Sequence, residues 1–421
     1  MVINPTLEDI LVTMNHSIKI LVFLFVSLSY PNIGFSQSDS SVFLKIQKHI
    51  EEAKHRYAPD KRSKLVELKK VDISQNRYSI QSTEPEAINY LSEILKKENI
   101  LANLVLLPDE SVGNKKSGIV NLSVANLRTE PSHAAEMATQ LLLGTQVDIL
   151  QHVGGDYRVR TPEGYIAWVN SSSIVAMDEV QIAKWNKKEK LIYIQEFGRS
   201  YSTPTATSLR VSDLVHGNIL ALEGEETSYY RISYPDERIA FIPKNEAQLF
   251  TSWLNTRELT AKKVIASAKT MIGLPYLWGG TSVKGVDCSG FTKTSYFMNG
   301  SIIPRDASQQ VLAGEAIDIL DDKKDFDAEK ALKNLQPADL IFFAASKGKR
   351  ENPRVTHVGL YLGNGEFIHA AGTVRINSLL KEARNYDEFQ TKTIVAARRY
   401  IDSKDPQIQA VSKSKYYQNI K

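Results

Sequence analysis

The sequence predicts a multidomain protein in which two small all-β barrels are followed by an α+β domain. Three observations support this fold class. The chain has 421 residues, more than one hydrophobic core usually serves. Short apolar segments separated by turn residues run through 118–177 and recur through 191–249, which is typical of small β barrels. From 252 to 400 the pattern changes to helices mixed with strands.

The chain begins with one long apolar run at 18–30, followed by small residues that end at Ser36. This pattern is typical of a signal peptide, so we expect residues 1–36 to be cleaved off after Ser36. The expected product is exported, periplasmic or secreted, without stable membrane insertion afterwards. Two alternatives remain: an uncleaved anchor helix, and a start at Met14, because acidic residues precede the run.

Residues 37–106 are expected to form an N-terminal mixed α/β element. Its pattern predicts a helix over about 42–55, a strand over 65–73 and a second helix over 84–97. This element is expected to pack on the barrel that follows it.

The two barrels are expected over residues 107–180 and 181–250. Each contains four short apolar segments of strand length. The predicted strands are 120–124, 146–150, 157–160 and 165–169 in the first barrel, and 192–197, 218–222, 229–233 and 238–243 in the second.

The α+β domain is expected over residues 251–402. Thr260 is a good N-cap for a helix that Gly273 ends. The charged stretch 314–336 is interpreted as an insertion that either borders a cleft or forms a surface loop. The polar residues 403–421 are expected to be a frayed tail. The apolar residues expected on one face of the helix are Val264, Ile265, Ala268, Met271 and Ile272.

The charge pattern excludes one class of partner. The formal net charge is +4, and acidic and basic residues are mixed along most of the chain. A nucleic-acid partner is therefore not expected, since such proteins gather basic residues on one surface.

Cys288 is the single cysteine of the chain, so an internal disulfide is excluded. It lies where a glycine-rich loop turns into a predicted helix. A thiol at a helix N-terminus lies at the positive end of the helix dipole, which favours the thiolate, and the free N–H groups there can bind an oxyanion. We therefore expect Cys288 to be a nucleophile, with a small buried residue as the structural alternative.

Two histidines downstream could act with the thiol. His357 and His369 flank a hairpin signal, Gly363–Asn364–Gly365. With a three-residue loop both side chains lie on one face and one imidazole can orient the other. With a two-residue loop they lie on opposite faces, so the hypothesis depends on the register.

Five motifs in the last third of the chain resemble the NlpC-type cysteine peptidases. The resemblance implies a papain-like core with a catalytic triad of Cys288, His357 and His369. The motifs are 276–280, 287–291, 303–306, 337–342 and 356–359.

The first barrel resembles a bacterial SH3 domain at 127–131 and 164–168, and the second is a more divergent copy. Together with the peptidase motifs, this arrangement resembles YkfC-like γ-D-glutamyl-L-diamino acid endopeptidases. The resemblance implies hydrolysis of free murein peptides such as L-Ala-γ-D-Glu-diamino acid. It also implies that Glu136 and Tyr165 bind the free amine of the L-alanine.

The same resemblance assigns further substrate-binding residues to the cleft. The assignment of Ser308 is uncertain, because Ala307 follows Asp306 where relatives offer a hydroxyl. Trp278 as a core residue and Asp287 as a helix cap are the structural alternatives. The assigned residues are Tyr276, Trp278, Asp287, Ser289, Asp306 and Ser308.

Other functions were weighed against this one. The domains could anchor a hydrolase of intact peptidoglycan, or the chain could be a non-catalytic wall-binding protein. Zinc binding by His357 and His369 lacks a third ligand of suitable spacing. We expect no metal and no organic cofactor.

Overall fold

A computed structural model describes residues 37–417, apart from 73, 74 and 76. The expected signal peptide and the last four residues of the tail lie outside the described residues. Within the described part, no helix is long and apolar enough to cross a membrane.

The N-terminal element packs two helices on a three-stranded sheet. Strand β2 is central, with β1 antiparallel and β3 parallel to it. Apolar residues of both helices, such as Ile46 and Leu91, are buried against the sheet. Both predicted helices and the predicted strand are present. The elements are α1 (Gln37–Tyr57), β1 (Val66–Asp72), β2 (Arg77–Ser82), α2 (Pro85–Lys97) and β3 (Asn103–Leu106).

A first seven-stranded antiparallel sheet follows, with the order β10-β4-β7-β8-β9-β5-β6. The prediction of one strand over 120–124 is wrong, because the chain turns there between β4 and β5. In this turn Asn121 donates to Asp236, in a loop of the next domain, and Ser123 donates to Asp213, in a strand of that domain. Strands β6 and β10 were not predicted. The strands are β4 (Ser117–Val120), β5 (Val124–Arg128), β6 (Met137–Leu142), β7 (Gln146–Val153), β8 (Asp156–Arg160), β9 (Ile166–Asn170) and β10 (Ile174–Met177).

A second seven-stranded sheet has the order β13-β12-β16-β15-β14-β11-β17. When the strands of each sheet are numbered 1 to 7 in chain order, the spatial order of the first sheet is 7-1-4-5-6-2-3. The second sheet has the same order when it is read from its opposite edge. A 3-10 turn also precedes the last strand of each sheet. The strand predicted over 192–197 ends at Tyr193. The elements are α3 (Glu179–Lys187), β11 (Lys190–Tyr193), β12 (Phe197–Tyr201), β13 (Arg210–Val215), β14 (Ile219–Glu226), β15 (Tyr229–Ser233), β16 (Ile239–Pro243) and β17 (Ala247–Leu249).

The α+β region has a six-stranded antiparallel sheet with the order β21-β26-β22-β23-β24-β25. Helix α6 packs through Phe291 against apolar residues of this sheet, including Phe342 and Val358. The elements are α4 (Phe250–Asn255), α5 (Ala261–Thr270), β18 (Thr281–Ser282), β19 (Gly285–Val286), α6 (Cys288–Phe297), β20 (Ser301–Ile302), α7 (Ala307–Gln310), β21 (Glu315–Ile317), α8 (Ala328–Asn334), β22 (Leu340–Phe343), β23 (His357–Gly363), β24 (Glu366–Ala371), β25 (Thr373–Ser378), α9 (Glu388–Lys392), β26 (Ile394–Arg399) and β27 (Gln409–Ala410).

Helix α5 begins as the sequence predicts. The hydroxyl of Thr260 accepts a hydrogen bond from the Lys263 N–H, and Gly273 has a positive φ of 86° just after the helix. The apolar face is shorter than expected, because Ile272 lies beyond the last turn and is 50% exposed.

Two segments of the last third of the chain contribute to its packing. Within 314–336, β21 forms the sheet edge farthest from β25, and Ile319 and Leu335 are buried under it. The expectation of a frayed tail is wrong for the described part, since β27 pairs with β20. Val411, Tyr416 and Tyr417 are buried there, where each meets an apolar surface of another segment.

Candidate active site

Cys288 is the first residue of α6, and Asp287 caps that helix. One oxygen of Asp287 accepts the Gly290 N–H at 2.6 Å and the other accepts the Gly279 N–H at 3.0 Å. The helix therefore starts tightly against the glycine-rich loop. A Cβ at Gly290 would lie 2.0 Å from the carbonyl oxygen of Gly280, so only glycine fits there.

Arg305 holds this helix start in place. Its guanidinium donates two bonds to Asp287, at 2.7 and 3.1 Å, and one to the Ser289 hydroxyl at 3.0 Å. Its Nε donates to the Thr139 hydroxyl of the first seven-stranded sheet at 2.7 Å. Arg305 is 1% exposed, so this buried guanidinium joins the start of α6 to the preceding domain. The sequence analysis quoted Arg305 within a motif but assigned it no role.

The thiol of Cys288 is nearly buried, with 6% of the residue exposed. Burial and then the negative charge of Asp287 raise the pKa of the Cys288 thiol to about 12. Hydrogen bonding to the thiol from the Val358 and Ser289 backbone acts in the opposite direction but is outweighed. This direction is opposite to the expectation that the helix start favours a resting thiolate, and its largest cause is the burial of the sulfur.

The two histidines meet on one face of the β23–β24 hairpin. The loop has two residues, Asn364 and Gly365, both with positive φ. An extra residue, Leu362, forms a bulge, so Leu360 pairs with Ile368, which is the register of a three-residue loop. The bulge restores the register that the hypothesis required.

His357 Nε2 lies 2.8 Å from His369 Nδ1. Burial and the neighbouring His369 lower the pKa of His357 to about 3, and burial lowers the pKa of His369 to about 4. Both imidazoles are therefore neutral at pH 7, as a general base must be before it accepts a proton. Since the Nε2 of His357 faces His369, its Nδ1 is the ring nitrogen not engaged by that contact. The Cys288 thiol lies beside the backbone of Val358, the residue after His357.

Two residues that directly precede strands β6 and β9 of the first seven-stranded sheet contact the predicted cleft. Trp278 Nε1 donates to Glu136 Oε1 at 2.7 Å, and the Tyr165 hydroxyl donates to Asp306 Oδ2 at 3.3 Å. Glu136 is exposed and Trp278 is 60% exposed, so both remain accessible to a ligand. The structure thus brings Glu136 and Tyr165 to the peptidase residues, although more than a hundred positions separate them in sequence.

Asp306 and Ser308 lie beside an arginine of the N-terminal element. Arg62 Nη1 donates to Asp306 Oδ2 and to Ser308 Oγ, both at 2.8 Å. The rest of the guanidinium binds Asp60, with two further contacts of 2.8 Å. The sequence analysis missed Arg62, since no local pattern distinguishes it from a surface arginine.

Tyr276 and Ser289 complete the set of predicted residues. Tyr276 is half-buried in the loop before α6, and burial is the largest cause that raises its pKa. Ser289 is buried and donates to Asp287 Oδ1 at 3.2 Å. Ser289 therefore supports the helix start, with its hydroxyl held by Asp287 and Arg305.

A metal site is not formed by these residues. Across the residues that the structure describes, no three His, Cys, Asp or Glu side chains are placed to hold one ion. His357 and His369 direct ring nitrogens at each other instead of at a shared ligand.

Comparison with known proteins places the site within two recognised domains. Residues 273–398 match the NlpC/P60 family, and residues 127–174 match the bacterial dipeptidyl-peptidase Sh3 domain. The triad residues fall in the first range and Tyr165 in the second, whereas Arg62 lies outside both.

Curated relatives and a solved structure extend the similarity. The gamma-D-glutamyl-L-lysine dipeptidyl-peptidase of Bacillus cereus is 32% identical over 249 residues, which are 57% of this chain and 68% of the relative. The enzyme of the same name from Bacillus subtilis is 30% identical over 275 residues, 62% of this chain and 80% of the relative. The crystal structure of an NlpC/P60 family protein from Bacillus cereus is 26% identical, with a TM-score of 0.55, and covers 68% of this chain and 99% of that one.

Proposed function

Because this chain belongs to the NlpC/P60 family of cysteine peptidases, we propose that it hydrolyses the γ-D-glutamyl–diamino acid bond of free murein peptides. The peptides would carry an unblocked N-terminal L-alanine. Support for this substrate class comes from relatives that are gamma-D-glutamyl-L-lysine dipeptidyl-peptidases. Support also comes from the matched Sh3 domain, which lies against the peptidase cleft.

In the proposed reaction Cys288 is the nucleophile and His357 its base. The Cys288 sulfur attacks the γ-carbonyl carbon of D-glutamate while the thiol proton moves to His357 Nδ1. The backbone N–H groups at the start of α6 stabilise the oxyanion. His357 then gives its proton to the leaving amine of the diamino acid and the C–N bond breaks. Water, deprotonated by His357, hydrolyses the thioester and restores the thiol.

The observation that carries the substrate proposal is the pair of contacts across the domain boundary. Glu136 and Trp278 are hydrogen-bonded at one point, and Tyr165 and Asp306 at another. These contacts make the first seven-stranded sheet one wall of the cleft. A carboxylate on that wall suits the ammonium of an unblocked L-alanine, and the wall would collide with a muramic acid linked at the same nitrogen.

The experiment compares cleavage of L-Ala-γ-D-Glu-diaminopimelate with its N-acetylated form, with products identified by mass. Wild type should prefer the free amine by about tenfold to a hundredfold, the value of one charge-assisted bond. Glu136→Gln keeps an acceptor for Trp278 but removes the charge, so this preference should largely disappear. Glu130→Gln, an exposed glutamate nearby, is the matched control.

Equal cleavage of both peptides by wild type would contradict the amine proposal. It would favour the alternative that the enzyme acts on intact peptidoglycan with the β domains as anchors. Turnover of whole sacculi would support that alternative directly. An inert wild type would support a non-catalytic wall-binding protein, although Cys288, His357 and His369 are all retained.

The proposal includes the architecture of the remaining domains. The second seven-stranded sheet would be a second SH3-like barrel, since it repeats the strand order of the first. The α+β region would be papain-like, with α6 packed on an antiparallel sheet. Superposition of the two seven-stranded sheets in a crystal structure tests the repeat directly.

Export of the protein is the last part of the proposal. The apolar run at 18–30 and the small residues ending at Ser36 support cleavage there, with a mature chain beginning near Gln37. N-terminal sequencing of the native protein from a cell fraction outside the cytoplasm tests it. A native N-terminus at Met1 or Met14 would contradict it.

A further inference from the structure

We propose that Asn377 and Arg375, on strand β25, are positioning residues that fix the tautomers of both histidines and leave the Nδ1 of His357 free to accept a proton. The inference rests on the proposed roles of Cys288 and His357. Neither β25 residue was singled out by the sequence analysis. Both act through His369 and neither needs to touch the substrate.

The orientation of the Asn377 amide is fixed by one hydrogen-bond acceptor and one hydrogen-bond donor. Its Nδ2 donates to the backbone carbonyl of Asn385 at 3.1 Å, and a carbonyl can only accept. Its Oδ1 accepts from Arg375 Nε at 3.0 Å, and a guanidinium can only donate. Oδ1 is therefore the atom that faces His369.

The tautomers of the two rings follow from this orientation. Asn377 Oδ1 lies 3.0 Å from His369 Nε2, so that nitrogen carries the proton. A neutral His369 then has a lone pair on Nδ1, which must accept from His357 Nε2 at 2.8 Å. A neutral His357 protonated at Nε2 has its lone pair on Nδ1. The hydrogen-bond chain from Asn377 thus leaves His357 ready to receive the Cys288 proton.

Arg375 places a positive charge beside the histidine pair. His369 faces His357 on β23, Arg375 and Asn377 on β25, and the more distant Asp387 before α9. The positive charge of Arg375 contributes to lowering the pKa of both imidazoles. Arg375 itself is partly neutralised by Asp387, with 3.8 Å between them, but its Nε still points at the Asn377 oxygen. Arg375 therefore holds the Asn377 oxygen in place and disfavours a positive charge on either imidazole, so that the pair rests neutral with the His357 Nδ1 lone pair free.

The single cysteine makes a direct test possible without any substrate. Alkylation of Cys288 by iodoacetamide, followed by intact mass against pH, reports how well His357 accepts the thiol proton. Asn377→Leu should be alkylated about tenfold more slowly at pH 7, the effect expected when one tautomer-fixing hydrogen bond is lost. Asn377→Asp keeps the accepting oxygen and should recover most of the rate. Its acid limb should move to higher pH, because a carboxylate favours imidazolium.

Arg375→Gln tests the second half of the inference. Removing this positive charge should also move the acid limb to higher pH. Arg384→Gln, an exposed arginine of the following loop, is the matched control and should leave the profile unchanged.

Two results would overturn the inference: a wild-type alkylation rate in Asn377→Leu, or an Asn377→Asp variant as slow as Asn377→Leu with an unshifted profile. A merely structural asparagine would give the second result. The alkylation pattern is separable from the proposed function. If wild type cleaves no murein peptide but the pattern holds, the substrate proposal fails and the inference stands.

Discussion

Replacing Arg305 by methionine should destabilise the protein far more than replacing an exposed arginine. Arg305→Met removes four hydrogen bonds and leaves the carboxylate of Asp287, which is 7% exposed, without its cation. Breaking a buried ion pair from one side costs about 3–5 kcal/mol. The matched control is Arg238→Met, since Arg238 pairs with Asp236 at the same 2.7 Å but is 40% exposed. Loss of such an exposed pair costs about 0–1 kcal/mol.

The loss of stability at the start of α6 can be measured by labelling Cys288 with a chromogenic disulfide at increasing urea concentrations. The midpoint of labelling should fall strongly in Arg305→Met and little in Arg238→Met. Activity of Arg305→Met should also fall, because Asp287 and the Ser289 hydroxyl lose their common donor. Equal midpoints for the two variants would refute the view that this buried guanidinium holds the start of α6.

Four further outcomes are expected. Cys288→Ser should abolish turnover of the tripeptide with little change in melting temperature, and a turnover close to wild type would end the nucleophile assignment. His357→Ala should be inactive while His369→Ala keeps some turnover, since orientation is a smaller task than proton transfer, and equal losses would contradict the two roles. The free energy of unfolding should fall as pH drops from about 6.5 towards 3. The pKa values of His357 and His369 are lowered in the folded protein, so the unfolded state binds more protons in this pH range. In urea titrations a His357→Gln variant should show a shallower fall. Deleting residues 411–421 should lower the melting temperature by several degrees. The deletion removes three buried side chains, each worth about 1.5–3 kcal/mol: Val411, Tyr416 and Tyr417. An unchanged melting temperature would contradict their packing role.

The local parts of the site were predictable because they obey local rules. Asp287, Cys288 and Gly290 follow the pattern of a capped helix start, and the structure shows that cap. For His357 and His369, the sequence predicted two alternative hairpin registers and could not decide between them. The loop has two residues, as in the unfavourable alternative, but the bulge at Leu362 moves both rings to one face. A bulge of this kind leaves no clear sign in a single sequence.

The remaining parts depend on contacts between distant segments. Thr139 and Arg305 are 166 positions apart, and Arg62 and Asp306 are 244 apart. No spacing rule connects such pairs, so their partners cannot be identified before the fold is known. The prediction of a frayed tail was wrong for the same reason. The stabilisation gained by burying Tyr417 depends on an apolar surface that other segments form.

The resting state of the site bears on how the reaction is driven. With the pKa of Cys288 near 12 and that of His357 near 3, both groups are neutral before substrate binds. In the proposed reaction, charge then develops only as the sulfur attacks, and the helix-start N–H groups and His357 would stabilise it in the transition state. A neutral buried thiol is also a poor target for oxidants, which react with thiolate. The same burial that slows a free cysteine would thus preserve the single nucleophile of a protein that we propose to be exported.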